Sequence, residues 1–276
     1  MKNKIKKFLN MFSKKVPVNI PVMYGELLTN RTALITGGNG GIGFEIAKNF
    51  VLNNCDVIIT GRNEEQLKKC TKELNELKKG KCKFYVFDIS KTEQIEKVLD
   101  NIIKENNIDI LVNNAGVLFG NSIGNTSIKD FEDTIKINLE GTYFITQKIA
   151  NYMIENKIKG NILNISSSSS VRPAINPYSI SKWGMNGLTL GLAKKYIKHG
   201  IVVNGIAPGP TATKMLMKNP KLGIDNTNSP VGRYIMPEEI ANIATILVSN
   251  MGRMIVGDTI YITGGAGVIT FDDINY

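Results

Sequence analysis

The strongest constraint on the fold of this chain is a glycine-rich segment, Thr36–Gly43, that joins a predicted β-strand to a predicted α-helix. It follows a short apolar run, Thr32–Thr36, and precedes apolar residues at helical spacing, namely Ile42, Ile46, Ala47 and Phe50. A glycine-rich turn between a strand and a helix lets backbone amides approach a pyrophosphate at the helix N-terminus. Tight turns also need glycine, but the flanking strand and helix favour a dinucleotide-binding loop.

Strands and helices alternate along the rest of the chain. Further strands are predicted at Asp56–Thr60, Lys83–Phe87, Ile110–Val112, Asn161–Ile165, Ile201–Ile206 and Thr259–Ile262. Helices are predicted to begin at Asn63 and at Ser90, and to cover Ser127–Tyr152, Tyr178–Lys198 and Pro237–Ser249. The alternation predicts an α/β fold, a Rossmann-type doubly wound parallel β-sheet flanked by helices. A chain of 276 residues, 42% of them hydrophobic, is expected to form it as a single domain.

Positive charge is concentrated at the N-terminus. The formal net charge is +10, and six lysines fall in the first fifteen residues, which contain no Asp or Glu. We interpret residues 1–29 as a solvated basic arm and 30–276 as the catalytic domain, with contact to an anionic membrane surface as the alternative role of the arm. No secretory signal or apolar run of the ~20 residues that span a bilayer is found, so a cytoplasmic location is expected.

Two classes of site are not supported by the composition. Nucleic-acid binding is disfavoured, because the charge excess outside the arm is modest. The three cysteines, Cys55, Cys70 and Cys82, lack metal-ligand spacing and are expected to be reduced thiols, buried or half-buried. His199 is the only histidine. We therefore expect no metal site and no Ser-His-Asp chemistry.

A tyrosine and a lysine stand one helical turn apart, as Tyr178 and Lys182. Residues i and i+4 share a helix face, so the ammonium can lie beside the phenol. An adjacent cation favours the phenolate and is expected to lower a phenol pKa that is ordinarily near ~10. Such a tyrosine can exchange a proton with a substrate hydroxyl near neutral pH.

The end of the second strand carries a signal for the cofactor. An acidic residue at this point would hold a free ribose 2′-hydroxyl, whereas an arginine accommodates a 2′-phosphate. Here the strand is followed by Gly61 and then Arg62. This favours NADP(H), with NAD(H) possible; a surface arginine facing solvent is the other interpretation.

Polar residues follow three more strands, at the edge where a doubly wound sheet binds its ligands. Asp88 follows the third strand, and Asn114-Ala115-Gly116 follows the fourth; both can line an adenine and ribose, or serve as ordinary turn residues. Five serines, Ser166–Ser170, follow the fifth strand. Most are expected to be loop filler, and one hydroxyl could bind a substrate carbonyl. Ser167 is the best candidate, with Ser168 as its rival.

With these motifs assembled, the chain resembles the short-chain dehydrogenase/reductase family, in its compact single-domain subgroup, from about Asn30 to Gly265. Pro208–Thr213 completes the match. The resemblance implies that Tyr178 is the acid/base, that Lys182 lowers its pKa and holds the ribose, that Ser167 polarises the carbonyl, and that Asn138 supports a water relay on a kinked helix. The Ser-to-Tyr spacing is about two residues shorter than the family leads us to expect. The implied cofactor-binding set, besides Arg62, is Gly37, Asn39, Gly41, Ile42, Gly43, Asp88, Ile89, Asn114, Ala115, Gly116, Tyr178, Lys182, Pro208, Gly209, Thr211 and Thr213.

The expected activity is that of an NADP(H)-dependent oxidoreductase that interconverts a small-molecule carbonyl compound and an alcohol. A sugar-nucleotide epimerase or dehydratase is one alternative, and a non-catalytic nucleotide-binding protein is another. The segment 211–233 is expected to form a lid over the substrate, whose identity the sequence does not define. The family resemblance also implies a homodimer or homotetramer.

Overall fold

A computed structural model describes residues 25–213, 215, 223–227 and 229–270. Most of the predicted basic arm lies outside these ranges. The first described residues already pack on the domain, because Leu28 is fully buried and its amide donates to the Asn53 carbonyl at 3.1 Å. In the described part of the chain, no helix is long and apolar enough to cross a membrane.

Within these ranges the strands form one seven-stranded sheet in the order β3-β2-β1-β4-β5-β6-β7, and every pairing is parallel. The predicted doubly wound sheet is confirmed. The strand order reverses between β1 and β4, which places a crevice at the carboxyl ends of these two strands. The strands are β1 Thr32–Thr36, β2 Asp56–Gly61, β3 Cys82–Val86, β4 Ile110–Asn113, β5 Asn161–Ile165, β6 Val202–Pro208 and β7 Thr259–Ile262.

Helices cover both faces of the sheet. They are α1 Gly41–Leu52, α2 Glu64–Glu76, α3 Ile95–Glu105, α4 Ile128–Ile135, α5 Gly141–Glu155, α6 Pro177–Tyr196 and α7 Pro237–Val248. The alternating side chains of β1 divide between two cores: Ala33 and Ile35 pack with α1, α2 and α7, whereas Leu34 packs with α3, α5 and α6. This period of two is what a strand buried on both faces requires.

The starts of two helices differ in detail from the sequence prediction. Asn63 caps α2 as expected, and its side chain accepts from the Gln66 amide at 2.9 Å; the Gln66 side chain, however, donates to the Cys70 sulfur and does not complete a capping box. The helix predicted to open at Ser90 begins only at Ile95, after a short 3₁₀ turn. The physical reason is that Asp88 and Ser90 form a turn of their own: the Asp88 carboxylate accepts from the Ser90 hydroxyl at 2.8 Å and from the Ser90 amide at 3.1 Å.

The predicted long helix around Asn138 is interrupted. A π-helical turn, Lys136–Glu140, joins α4 to α5 and carries Asn138, which is buried. Turns of this kind are frequent at functional sites because the wider spacing re-aims a side chain. The helix that the family resemblance implies to be kinked at Asn138 is interrupted at that residue by this π-helical turn.

All three cysteines are free and buried: Cys55 directly precedes β2, Cys70 lies on α2, and Cys82 is the first residue of β3. Burial raises the pKa of the Cys55 thiol far above its ordinary value, and raises the pKa of Cys82 to about 12. Both thiols are therefore protonated and unreactive in the folded protein.

Candidate active site

A cavity of about 790 Å³ opens at the carboxyl ends of the strands. It brings together nearly all of the residues that the sequence predicts for the site. Those that line it are Gly37, Asn39, Gly41, Ile42, Arg62, Asp88, Ile89, Asn114, Ala115, Gly116, Ser167, Tyr178, Lys182, Pro208, Gly209, Thr211 and Thr213. Gly43 and Asn138 do not line the cavity, but each contacts a residue that does. Gly43 packs closely against Asn114, and Asn138 forms hydrogen bonds with Val117.

The glycine-rich turn is braced by the loop after β4. Gly37 has φ 64°, in the left-handed region, and a Cβ at this position would lie 3.0 Å from Ala115 Cα. The Asn114 amide donates to the carbonyls of Thr36 and Gly37, both at 3.0 Å. A Cβ at Gly43 would collide with that amide, so glycine is required at this position for close packing.

The N-terminus of α1 has the features of an anion site. Its cap residue, Gly40, offers no side-chain hydrogen bond, and the first turn contains no acidic residue. The first backbone amides of the helix therefore face the cavity without a competing acceptor on their own helix. A dinucleotide pyrophosphate fits this end of the cavity by charge and by donor geometry.

The end of β2 leaves little room for a side chain at Gly61. A Cβ there would lie 3.0 Å from Cγ and Nδ2 of Asn39. The exposed Arg62 lines the cavity next to this contact. An aspartate at position 61 could fit only if Asn39 moved, whereas the observed pair offers a guanidinium and an amide.

Ser167 is the serine of its run that reaches Tyr178. A hydrogen-bonding interaction with its hydroxyl lowers the pKa of the Tyr178 phenol, and the same hydroxyl accepts from the Ser169 amide at 3.1 Å. Ser168 lines the cavity as well, but the structure gives no contact between it and the phenol. The geometry therefore agrees with the choice of Ser167 over Ser168.

Lys182 lies beneath the tyrosine, with Nζ 5.6 Å from the centroid of the Tyr178 ring and 2.9 Å from the Ile165 carbonyl, to which it donates. Burial lowers the pKa of Lys182 to about 8. Burial also raises the pKa of Tyr178 above its ordinary value, and the Ser167 hydrogen bond offsets only part of that effect. The expected lowering of the Tyr178 pKa by Lys182 is therefore wrong in direction for this arrangement, because desolvation of the phenol dominates.

Asn138 connects the loop after β4 to the catalytic helix. Its Oδ1 accepts from the Val117 amide at 2.8 Å, and its Nδ2 donates to the Val117 carbonyl at 3.0 Å and to the Ser181 hydroxyl at 3.1 Å. Ser181 in turn donates to the Tyr178 carbonyl at 2.7 Å. Sequence reasoning missed Ser181, although its place between Tyr178 and Lys182 in α6 was a signal that could have drawn attention to it.

The segment 211–233, expected as a lid, is described only in part. Thr211 is tied down at its start, because its hydroxyl donates to the Gly209 carbonyl at 2.9 Å and it forms a β-bridge with Ile235. Met215 and Asn226 of this segment line the cavity together with Tyr234 and Leu118, two residues that the sequence did not indicate.

Comparison with known proteins identifies the relatives of this arrangement. A family model described as short chain dehydrogenase matches residues 31–222. The chain belongs to the short-chain dehydrogenase/reductase family. Glucose 1-dehydrogenase 2 of Bacillus subtilis is 34% identical over 88% of this chain and 96% of its own length. The 3-oxoacyl-[acyl-carrier-protein] reductase FabG of Thermotoga maritima is 33% identical over 86% and 98%.

Solved structures of the family share the fold. A 3-oxoacyl-[acyl-carrier protein] reductase of Brucella melitensis with bound NAD has a TM-score of 0.82 at 26% identity, over 92% of this chain and 98% of that one. Actinorhodin polyketide ketoreductase with NADPH has a TM-score of 0.79 at 28% identity, over 86% and 97%. The protein is thus an oxidoreductase of the short-chain dehydrogenase/reductase family, which uses NAD(P)(H) and acts on alcohol or carbonyl groups.

Proposed function

We propose that this oxidoreductase interconverts a carbonyl compound and an alcohol with NADP(H), using Ser167, Tyr178, Lys182 and Asn138. The observation that carries the proposal is that Ser167, Tyr178 and Lys182 line the same cavity as the glycine-rich turn, with Lys182 Nζ 5.6 Å from the centroid of the Tyr178 ring. Two hydroxyl groups converge where a substrate oxygen can bind. A bound nicotinamide would supply or accept the hydride.

Side chains of this protein supply the proton that the carbonyl oxygen receives. Because burial raises its pKa, Tyr178 is a neutral phenol at neutral pH and can donate its proton to the oxygen of a carbonyl. The Ser167 hydroxyl orients and polarises that oxygen. Lys182, with a pKa of about 8, is mostly an ammonium at pH 7 and stabilises the negative charge that forms on Tyr178 as the proton leaves.

Preference for NADP(H) is supported by the end of β2. Gly61 bears no carboxylate that would repel a 2′-phosphate, and Arg62 offers a cation beside it. Asn39 covers Gly61 and supplies amide donors at the same place. One solved relative contains NAD and another NADPH, so family membership alone does not indicate the preferred cofactor. The proposed preference for NADP(H) therefore rests on these residues.

The epimerase and dehydratase alternative has no observation in its favour. The relatives named above are dehydrogenases and reductases, and they match the chain over nearly their whole length. A scaffold without activity would have no need to keep a buried lysine beside Ser167 and Tyr178 in a cavity wall.

The test is a panel of ketones, aldehydes and oxoacyl thioesters, assayed by NADPH absorbance with NADH in parallel, for the native protein and for Tyr178→Phe. Tyr178→Phe keeps the ring but removes the proton, so turnover should fall at least ~100-fold. Binding of NADPH, followed by its fluorescence, should be retained. Turnover in Tyr178→Phe close to that of the native protein would contradict the mechanism, and a native preference for NADH would contradict the cofactor assignment.

A further inference from the structure

We propose that Asn186 is a positioning residue that holds Ser167 in its reactive place. It does so through hydrogen bonds to Ser166 and Ser170, which flank Ser167 in the run Ser166–Ser170; we call these hydrogen bonds the clamp. This inference rests on the proposed function, because it gives Ser167 its role. Asn186 lies on α6 one helical turn beyond Lys182, on the same face of the helix. It is not one of the residues predicted from the sequence.

The side chain of Asn186 is engaged at every polar position. Its Oδ1 accepts from the Ser166 hydroxyl at 2.9 Å, and its Nδ2 donates to the Ser170 hydroxyl and to the Tyr261 hydroxyl, both at 2.9 Å. An amide offers one acceptor oxygen and two donor hydrogens, and all are used here. No other uncharged side chain of this size could make the same three contacts.

These contacts bracket Ser167. Ser166, immediately before it, directly follows β5, and its amide donates to the Ile206 carbonyl at 2.7 Å. Ser170, on the other side, donates its hydroxyl to the carbonyl of Ser167 itself at 2.6 Å. Asn186 therefore fixes the residue before Ser167 directly and the backbone of Ser167 through one intervening hydroxyl. The serines expected to be loop filler are the attachment points of the clamp.

The third contact ties the clamp to the sheet. Tyr261 lies on β7, two strands away from β5, and its hydroxyl links Asn186 to that strand. The loop from Ser167 to Tyr178 is also shorter than the family resemblance led us to expect. The first turn of this loop is closed by its own contacts, since the Ser170 amide donates to the Ser167 carbonyl at 3.0 Å, and Asn186 attaches that turn to the facing helix.

Two variants separate positioning from a general structural effect. Asn186→Ala removes the clamp. Thr189→Val is the matched control on the same helix: the Thr189 hydroxyl also accepts from a buried asparagine, Asn164, at 2.9 Å, and donates to the Met185 carbonyl at 2.8 Å. Both changes remove buried hydrogen bonds and both should lower thermal stability, but only Asn186→Ala releases the serine run.

The first measurement is hydrogen exchange of the peptide Ser166–Val171 in the protein without added cofactor. Exchange should become about tenfold faster in Asn186→Ala, the factor expected for the loss of one or two ordinary hydrogen bonds, and should stay unchanged in Thr189→Val. Ser170→Ala, a milder change, should give a smaller acceleration in the same peptide. Unchanged exchange in Asn186→Ala would overturn the inference, whether or not the protein turns over any substrate.

The second measurement is kcat with the best carbonyl substrate, in the native and Ser167→Ala backgrounds. Asn186→Ala should lower kcat by about tenfold in the native background, with the dissociation constant for NADPH unchanged, and should lower it no further once Ser167 is absent. An equal fall in both backgrounds would mean that Asn186 does not act through Ser167 and would overturn the inference. If Ser167→Ala itself keeps full activity, the proposed catalytic serine is wrong, and the exchange measurement still decides whether Asn186 holds the loop.

Discussion

At the scale of single residues, the contact between Gly61 and Asn39 shows how cofactor choice can be set by the absence of a side chain. With no Cβ at position 61, Asn39 occupies the space that an acidic residue would need, and Arg62 follows with its guanidinium at the cavity wall. Under the proposed NADP(H) preference, a 2′-phosphate at this point would meet the Asn39 amide and the Arg62 guanidinium from two directions.

Arg62→Asp should reverse the cofactor preference. The change removes the partner of a 2′-phosphate and introduces a carboxylate that can accept from a ribose hydroxyl. The ratio of kcat/KM with NADPH to kcat/KM with NADH should fall by at least about a hundredfold, the effect of losing a charged hydrogen bond and gaining a repulsive charge. Lys72→Asp, on an exposed position of α2, makes the same charge change away from the cavity and should leave the ratio unaltered.

The contribution of Lys182 to the free energy of unfolding depends on pH. Its pKa is lowered to about 8 in the folded protein, from about 10.4 in an unfolded chain. Between these values the unfolded chain binds a proton that the folded chain lacks, so the contribution of Lys182 to the free energy of unfolding rises with pH. Below pH 8 both states are protonated, and the full cost of burying the ammonium remains.

Urea unfolding of the native protein and of Lys182→Met at pH 7 and pH 9.5 measures this effect. From the lower to the higher pH, the native protein should gain stability relative to Lys182→Met, because only the native chain titrates at this position. A difference in stability that stays constant between the two pH values would show that the Lys182 pKa is not lowered.

At the scale of elements, α1 and α7 are joined by a buried polar contact at Asn49. Its Nδ2 donates to Asn242 at 2.8 Å, and its Oδ1 accepts from Thr245 at 3.0 Å and from Asn53 at 3.0 Å. Asn49→Ala should therefore lower the free energy of unfolding by about 1–3 kcal/mol, because it leaves buried polar partners unsatisfied. Lys48→Ala, the partly exposed neighbour on α1, should change it by less than about 0.5 kcal/mol in the same denaturation experiment.

How far the sequence predicts these elements depends on whether the signal is local. β1, β5 and β7 were predicted at their observed bounds, and Asn63 as the cap of α2, because apolar periodicity and capping are written in consecutive residues. The start of α3 was wrong, since Ser90 had a competing partner in Asp88. The site residues, too, are predicted well only where their signal lies in consecutive residues.

Local motifs, such as Gly61-Arg62 at the end of β2 and the Tyr178/Lys182 pair on α6, line the cavity as the sequence predicts. The contacts of Asn186 depend on how α6 rotates against β5 and β7, and no single stretch of sequence encodes that rotation. The direction of the Tyr178 pKa shift was missed for a related reason: desolvation depends on the packing of the whole site, whereas the i, i+4 spacing reports only one neighbour.

At the scale of the whole molecule, α5 and α6 expose a large apolar surface. Ile180, Trp183 and Leu190 repeat along one side of α6, and Tyr143 and Phe144 on α5 are also more than a third exposed. Patches of this kind mark protein interfaces, and two-fold pairing would bury the same surface on both copies.

We therefore predict a homodimer or homotetramer that pairs through these helices. Light scattering at micromolar concentration should give a multiple of the chain mass, and Leu190→Glu should reduce it by placing a charge in the interface. Val86→Glu is the matched control, since Val86 is similarly exposed but lies on β3, at the opposite edge of the sheet. A native protein that scatters as a single chain would contradict the prediction.

The three buried cysteines can report local unfolding of the region around β2, α2 and β3. Cys55 directly precedes β2, Cys70 lies on α2 and Cys82 begins β3, and all three thiols are shielded from solvent. A thiol-specific alkylating reagent can modify them only when the surrounding structure opens. Cys70 Sγ lies 3.5 Å from the carbonyl oxygen of Asn39, which lines the cavity. The rate at which Cys70 is alkylated therefore measures local unfolding beside the cavity without any introduced label, and a ligand that binds in the cavity should slow it in proportion to its occupancy.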